Sequence, residues 1–229
     1  MNEIFNTIRN GLIVSCQAEG NSPFNSPEGV AMFAKAAVNG GAVAIRSEGV
    51  EKTSSIIKAV PVPVVGLVKS YFDDGFVRIT GSFSDVEQLV SIGTNIIAID
   101  GTFRKREELS GPDFIAQAKE RFGCVIMADI ATEQEALECT AAGADCVSTT
   151  LSGYTPETKH LHDGPDFELL QRLHAVLNIP VIAEGRINTP ALAARMSSLG
   201  AWSIVVGSAI TRPTEITKWF VESMKRPLA

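Results

Sequence analysis

The chain has 229 residues, 45% hydrophobic and 20% charged, with a formal net charge of −6; that is enough for one sizeable core. The acidic balance excludes a binder that relies on a general basic footprint for nucleic acid, while a local cluster of cations and backbone N–H groups could still hold a small anion. No apolar run approaches the roughly 18 residues of a membrane span, and the start MNEIFNTIRNGLIVSC lacks a basic segment followed by a long apolar one.

Eight short apolar runs recur along the chain: GLIVSCQ (11–17), AVAIRSEG (42–49), VPVVGLVK (62–69), NIIAIDGT (95–102), CVIMADI (124–130), CVSTTLSG (146–153), IPVIAEGRI (179–187) and WSIVVGSAI (202–210). They are rich in Val and Ile with little alternation, as strands covered on both faces should be. Helical segments lie between most of them. Ser26-Pro27 and Thr189-Pro190 offer a cap and a first-turn proline, Ser84–Glu87 and Thr132–Glu135 fit capping boxes, and Pro213 can open a last helix. Glycines at 40–41, 93, 143 and 200 stand where helices should end.

Eight strand–helix units predict an α/β fold, a closed (β/α)8 TIM barrel, as one catalytic domain over 1–229. An open doubly wound sheet would more often show a glycine-rich fingerprint after its first strand, and GLIVSCQAEG has none. Two connections are long: KSYFDDGFVRITGSFSD after the third run, with a hairpin-like DDG turn, and LSGYTPETKHLHDGPD after the sixth. Both follow strands and so belong to the face where barrel active sites sit.

The ends of the runs supply Gln17, Arg46, Lys69, Asp100, Asp129, Thr149, Thr150, Glu184 and Ser208. Five ionisable groups around one rim would each cost desolvation unless paired; a ring of structural salt bridges is the alternative to catalysis. Gly185 after the seventh run, with Gly207 and Ser208 after the eighth, would let backbone N–H groups approach a phosphate, and Arg186 would add a charge-assisted hydrogen bond. Lys69, crowded by Arg46, would be a general base or a Schiff-base nucleophile, and Glu184 an acid or base of the complementary kind. A plain ion pair of Lys69 with Glu184 or Asp129 is the structural alternative.

The four cysteines, Cys16, Cys124, Cys139 and Cys146, form no CxxC and read as buried free thiols of a cytoplasmic protein. His160 and His162 resemble a metal pair without a third ligand, so a solvated loop and no metal are expected. His174 reads as a surface or packing residue, and Trp202 and Trp219 as filling the layer between barrel and helices rather than binding a sugar.

Taken together, SCQAEG, AIRSEG, PVVGLVK, AIDGT, MADI, VSTTLSGYT, IAEGRI and VVGSAITRP resemble the N-acetylmannosamine-6-phosphate 2-epimerase family over essentially the whole chain. The resemblance implies a TIM-barrel enzyme of bacterial sialic-acid catabolism. It would interconvert N-acetylmannosamine 6-phosphate and N-acetylglucosamine 6-phosphate without metal or organic cofactor, as a homodimer with the last helix exchanged or packed between subunits. It carries the catalytic lysine onto Lys69, the glutamate onto Glu184, the aspartate onto Asp129, the arginine onto Arg46 and the glutamine onto Gln17. The chemistry fits these residue types. Lys69 and Glu184 would handle the C2 proton, Asp129 would tune Lys69, and Arg46 would steady an enolate oxygen. Gln17 and Thr149 or Thr150 would hold the N-acetyl group or hydroxyls, and Tyr154 would cap the substrate. A Schiff-base aldolase of a phosphorylated sugar and a non-catalytic sugar-phosphate barrel remain the competing readings.

Overall fold

The eight apolar runs are strands, and they close. The computed structural model describes residues 2–161 and 163–225, so His162 lies outside the described residues. The barrel is built from β1 (Leu12–Ser15), β2 (Ala44–Glu48), β3 (Val64–Leu67), β6 (Ile96–Asp100), β7 (Ile126–Asp129), β8 (Cys146–Ser148), β9 (Val181–Glu184) and β10 (Ser203–Val206). All pair in parallel, and β1 contacts both β2 and β10. The two strands missing from that list, β4 (Lys69–Tyr71) and β5 (Val77–Ile79), form an antiparallel ribbon above the rim, with Lys69 opposite Ile79. The ribbon realises the DDG turn, with Gly75 at φ 79°. It also moves Lys69 off the third barrel strand, which ends at Leu67, and onto the first residue of the ribbon.

Helices α2 (Pro27–Asn39), α3 (Val50–Ala59), α4 (Phe83–Ser91), α5 (Gly111–Phe122), α6 (Glu133–Ala141), α7 (Phe167–Val176) and α8 (Pro190–Ser198) lie in the connections between barrel strands. Their starts follow local chemistry. Ser26 and Thr189 accept the N–H of Gly29 and Leu192 ahead of a first-turn proline, and Thr132 and Glu135 close a capping box. One cap lies earlier than the sequence suggests. Ser82, in extended backbone, accepts Asp85 N–H at 3.1 Å while Asp85 accepts Ser82 N–H at 3.2 Å. Ser84 is therefore already inside the first turn of α4, where its hydroxyl and carbonyl accept from Gln88.

Side chains inside the barrel alternate along each strand. Ile13, Ala44, Val65, Ile96, Met127, Cys146, Ile182 and Val205 belong to one apolar cluster inside the barrel. Below it, the additional helix α1 (Glu3–Ile8), capped by Asn2, closes the bottom with Phe5 and Ile8. Trp202 packs there too, donating Nε1–H to Phe5 O at 2.8 Å. Two residues further along their strands, Arg46 and Glu184 replace apolar side chains and face the top of the lumen. After β10 come a single-turn helix α9 (Ser208–Thr211), with Thr211 buried, and α10 (Pro213–Lys225), which has no buried residue among those described. Among the described residues, no helix is long and apolar enough to cross a membrane.

Candidate active site

Arg46 anchors the site. It ends up buried at 1% exposure because β2 alternates and Ala44, two residues back, already faces the core. Its Nη2 donates to Asp129 Oδ2 at 2.5 Å and its Nη1 to Asp129 Oδ1 at 3.2 Å, a two-point pair across the lumen. The same Nη1 lies 3.3 Å from Glu184 Oε2. Thr150 Oγ1 stands 2.8 Å from Asp129 Oδ1 and 3.0 Å from Glu184 Oε2, so one hydroxyl joins the two carboxyls.

Electrostatics separate the roles of these groups. Burial works against the Arg46 charge, but Asp129 and Glu184 outweigh it and raise its pKa. Burial pushes both carboxyls above the ordinary range, against the pull of Arg46. The two titrate as a pair around one cation. Asp129 has the tighter, two-point grip on Arg46, and Glu184 the single longer contact.

Glu184 and Arg46 open onto a cavity of about 610 Å³, and Lys69 lines the same cavity from the ribbon. Glu184 feels the Lys69 charge. Lys69 pairs with neither Glu184 nor Asp129; its Nζ contacts Glu19 Oε1. Asp129 pairs directly with Arg46 and acts through its charge on Glu184. Glu19 is a residue that sequence reasoning missed. It stands in the loop after β1, two positions past Gln17, and a loop carboxylate carries no periodic signal. Arg212, between α9 and α10, also lines the cavity and lies 3.6 Å from Glu19.

The remaining candidates divide. Gln17 lines the cavity and donates to Ser15 Oγ at 2.9 Å. Thr149 and Thr150 part company: Thr149 is 1% exposed, its hydroxyl donates to Glu184 O at 2.9 Å and accepts Glu184 N–H at 3.0 Å, and it is absent from the cavity wall. It latches β8 to β9. Gly185, at φ 112°, and Gly207 and Ser208 line the cavity beside each other's strand ends. Thr211 Oγ1 donates to Ser15 O at 2.7 Å and fastens α9 to β1.

Arg186 lines the wall, but its Nε donates to Gly164 O at 2.6 Å and its Nη1 to Ser152 O at 2.8 Å, with Tyr154 5.2 Å away as a ring partner. Those two donors hold the loop after β8 rather than an anion. Tyr154 is 54% exposed at the mouth. Trp219 is not a buried packing residue of the helix layer; it lines the cavity from α10.

Asp100 departs from the expected rim. It is fully buried, accepts from Thr102, Arg104 and Arg106, and does not line the cavity, so it organises the loop after β6. The four cysteines are free; burial pushes Cys16 up to about 12 and the others above their usual range. His174 packs its ring against Gly200. Among the described residues, no group of His, Cys, Asp and Glu is placed to hold a metal ion.

The comparisons agree over most of the chain. The family model described as "Putative N-acetylmannosamine-6-phosphate epimerase" matches residues 30–226. A relative from Clostridioides difficile (strain 630), named "Putative N-acetylmannosamine-6-phosphate 2-epimerase", is 47% identical over 221 residues, covering 95% of this chain and 97% of its own. Another of that name, from Caldanaerobacter subterraneus subsp. tengcongensis, is 45% identical and covers 97% and 94%. The solved structure of the N-acetylmannosamine-6-phosphate 2-epimerase from Clostridium perfringens superposes with a TM-score of 0.90 at 42% identity, covering 97% of this chain and 96% of that one. A thiamine phosphate pyrophosphorylase from Pyrococcus furiosus, at 19% identity and a TM-score of 0.62, shares the fold alone. This chain belongs to the N-acetylmannosamine-6-phosphate epimerase family.

Proposed function

We propose that this protein interconverts N-acetylmannosamine 6-phosphate and N-acetylglucosamine 6-phosphate by removing and returning the proton at C2. The observation that carries the reading is one cavity holding a lysine and a glutamate, with an arginine buried between two carboxyls beneath it. In the open-chain sugar, C2 lies next to the C1 aldehyde. Loss of its proton gives an enolate whose charge rests on O1. Lys69 and Glu184 handle the proton that leaves and returns at C2. Arg46, held charged by Asp129, stabilises the enolate oxygen. Glu184 is suited to acid–base work, because burial raises its pKa above the ordinary carboxylate range.

Gln17 and Thr150 hold polar groups of the sugar, and Tyr154 covers it at the mouth. The phosphate lies against the N–H groups of the turns at Gly185 and Gly207–Ser208, where the glycines leave room for an anion. Arg186 contributes through the loop it holds. The reaction belongs to sialic-acid catabolism in the cytoplasm, the compartment that retains phosphorylated sugars.

The working unit is a homodimer joined through α10. Two features support this. The helix exposes Phe220, Val221 and Met224. The outer face of β1, β10 and α8, which the last helix of a barrel ordinarily covers, carries an open groove of about 460 Å³ lined by Leu12, Pro190, Ala193, Ile204, Val206 and Ile210. An α10 from a second copy fits that apolar groove.

NMR of N-acetylmannosamine 6-phosphate with the protein in D₂O tests the activity. Appearance of N-acetylglucosamine 6-phosphate deuterated at C2, lost in Lys69→Ala and Glu184→Ala, is expected. Substrate binding with neither product nor C2 exchange would overturn it. Trapping of substrate on Lys69 by borohydride would favour an aldolase instead.

A further inference from the structure

We infer that Glu19 is a positioning residue: its carboxylate holds the Lys69 amine in the cavity as an ammonium and ties it to Arg212. The inference rests on the reading that Lys69 takes part in the C2 chemistry. Glu19 Oε1 receives Lys69 Nζ and lies 3.6 Å from Arg212 Nη2, so a single oxygen serves two cations. All three side chains line the same cavity. Glu19 therefore joins three elements: the loop after β1, the β4–β5 ribbon and the α9–α10 junction. The loop is itself fastened, because Lys52 Nζ donates to Ala18 O at 2.9 Å while pairing with Glu48 at 3.2 Å.

The charged groups around the amine decide its protonation. Glu19 faces it directly. Arg212, on the same carboxylate oxygen, and Lys52 also act on Glu19 through their charges, and Glu184 shares the cavity with Arg46, which Asp129 holds from behind. Burial raises the Glu19 pKa, but the hydrogen bond and charge of Lys69, then Arg212 and Lys52, outweigh it and hold the carboxyl below the usual range. An ionised Glu19 favours the ammonium. Without Glu19, Lys69 and Arg212 become unscreened like charges at one mouth, and the amine loses its proton more readily.

The pair is partly exposed, 25% for Lys69 and 37% for Glu19, so it adds little to folding stability. Glu19→Gln is accordingly expected to unfold at the wild-type temperature. The test is a titration of the Lys69 side-chain resonance in ¹³C-lysine-labelled protein, assigned with Lys69→Arg, alongside the pH profile of kcat/KM for epimerisation. In Glu19→Gln the Lys69 midpoint is expected to fall by about one pH unit, and whichever limb of the profile Lys69 governs to move toward acid by the same amount. Glu19→Asp, which keeps the charge on a shorter stem, should shift less.

An unchanged midpoint overturns the pairing, and a moved midpoint with an unmoved profile overturns its part in the reaction. If the wild type fails to epimerise at all, the activity reading falls, while the titration still decides the pairing.

Discussion

Arg46 and Asp129 meet at 2.5 Å across the lumen, although β3 and β6 stand between their strands in the barrel. Both side chains are essentially inaccessible to water, at 1% and 0% exposure. Arg46→Met leaves Asp129 buried without its cation, and Asp129→Asn leaves the guanidinium with a weaker partner. Each is expected to cost about 3–5 kcal/mol in urea unfolding. The double variant Arg46→Met, Asp129→Leu should cost less than the sum of the singles, because no unpaired charge remains. Activity should fall by at least about 100-fold in both singles, measured by the NMR assay.

Thr150 joins Asp129 and Glu184 through one hydroxyl. Thr150→Val keeps the shape and removes the hydrogen bonds to both carboxyls. A hydrogen bond to a charged group contributes about 1.5–3 kcal/mol, so a drop in kcat of about 10- to 100-fold is expected. Thr150→Ser should restore most of it. Steady-state kinetics of the two variants, compared with their melting temperatures, separate this from a loss of folding.

Glu184 predicts a slope of stability with pH. Its native pKa is raised, chiefly by burial. The folded state therefore binds this proton more tightly than the unfolded chain does. The group's contribution is fully present below its unfolded value of about 4.3 and is lost as pH rises through the native value. Glu184→Gln removes that titration. Wild type should lose stability relative to Glu184→Gln on going from about pH 4 to pH 8, as followed by thermal melts across the range. A difference that grew in the opposite direction would show that Arg46 dominates the carboxyl.

Gly153 holds φ 83°, and a Cβ there would meet Leu161 O at 2.3 Å and Arg186 Nη1 at 2.5 Å. Gly153→Ala must therefore displace the backbone or push Arg186 out of the loop. The left-handed conformation alone costs about 1–2 kcal/mol for a non-glycine residue. A raised KM for the sugar phosphate and a lower melting temperature are expected, the first read from initial rates and the second from calorimetry. Gly20, also at positive φ but with open space around its Cβ position, should show only the conformational part when changed to Ala.

The exposed face of α10 predicts the assembly state. Phe220→Glu with Met224→Glu places charge on the surface proposed to enter a second copy's groove. Light scattering coupled to size exclusion should find a dimer for wild type and a monomer for this variant. Activity of the variant should fall as well, because Trp219 on the same helix lines the cavity. A wild-type monomer at working concentration would end this reading.

Much of this architecture is legible in the linear chain. The eight apolar runs, the caps at Ser26, Thr132 and Thr189, and the positive-φ glycines 41, 93, 143 and 200 all rest on interactions that reach no further than about four residues. Arg46, in the middle of β2, and Asp129 and Glu184, at the ends of β7 and β9, stand out for the same local reason, since a charge within or closing a buried run is conspicuous wherever the chain later goes. The misplacement of the α4 cap shows the limit of this local reading. Ser82 and Ser84 are both followed by acidic residues, and only the extended backbone at Ser82 selects between them.

Sequence alone thus determined the repeating unit, the order of its elements and the residues charged at their ends. The tertiary structure decided which of those charges meet. Arg46 and Asp129 lie 83 residues apart, and Lys69 and Glu19 lie 50. Asp100, as conspicuous in the chain as Asp129, is captured instead by arginines of its own loop. Whether a strand-end charge faces substrate, a neighbouring loop or another charge depends on closure and stagger of the barrel, and the Coulomb energies that then choose partners act across a lumen that exists only once the last strand has paired with the first.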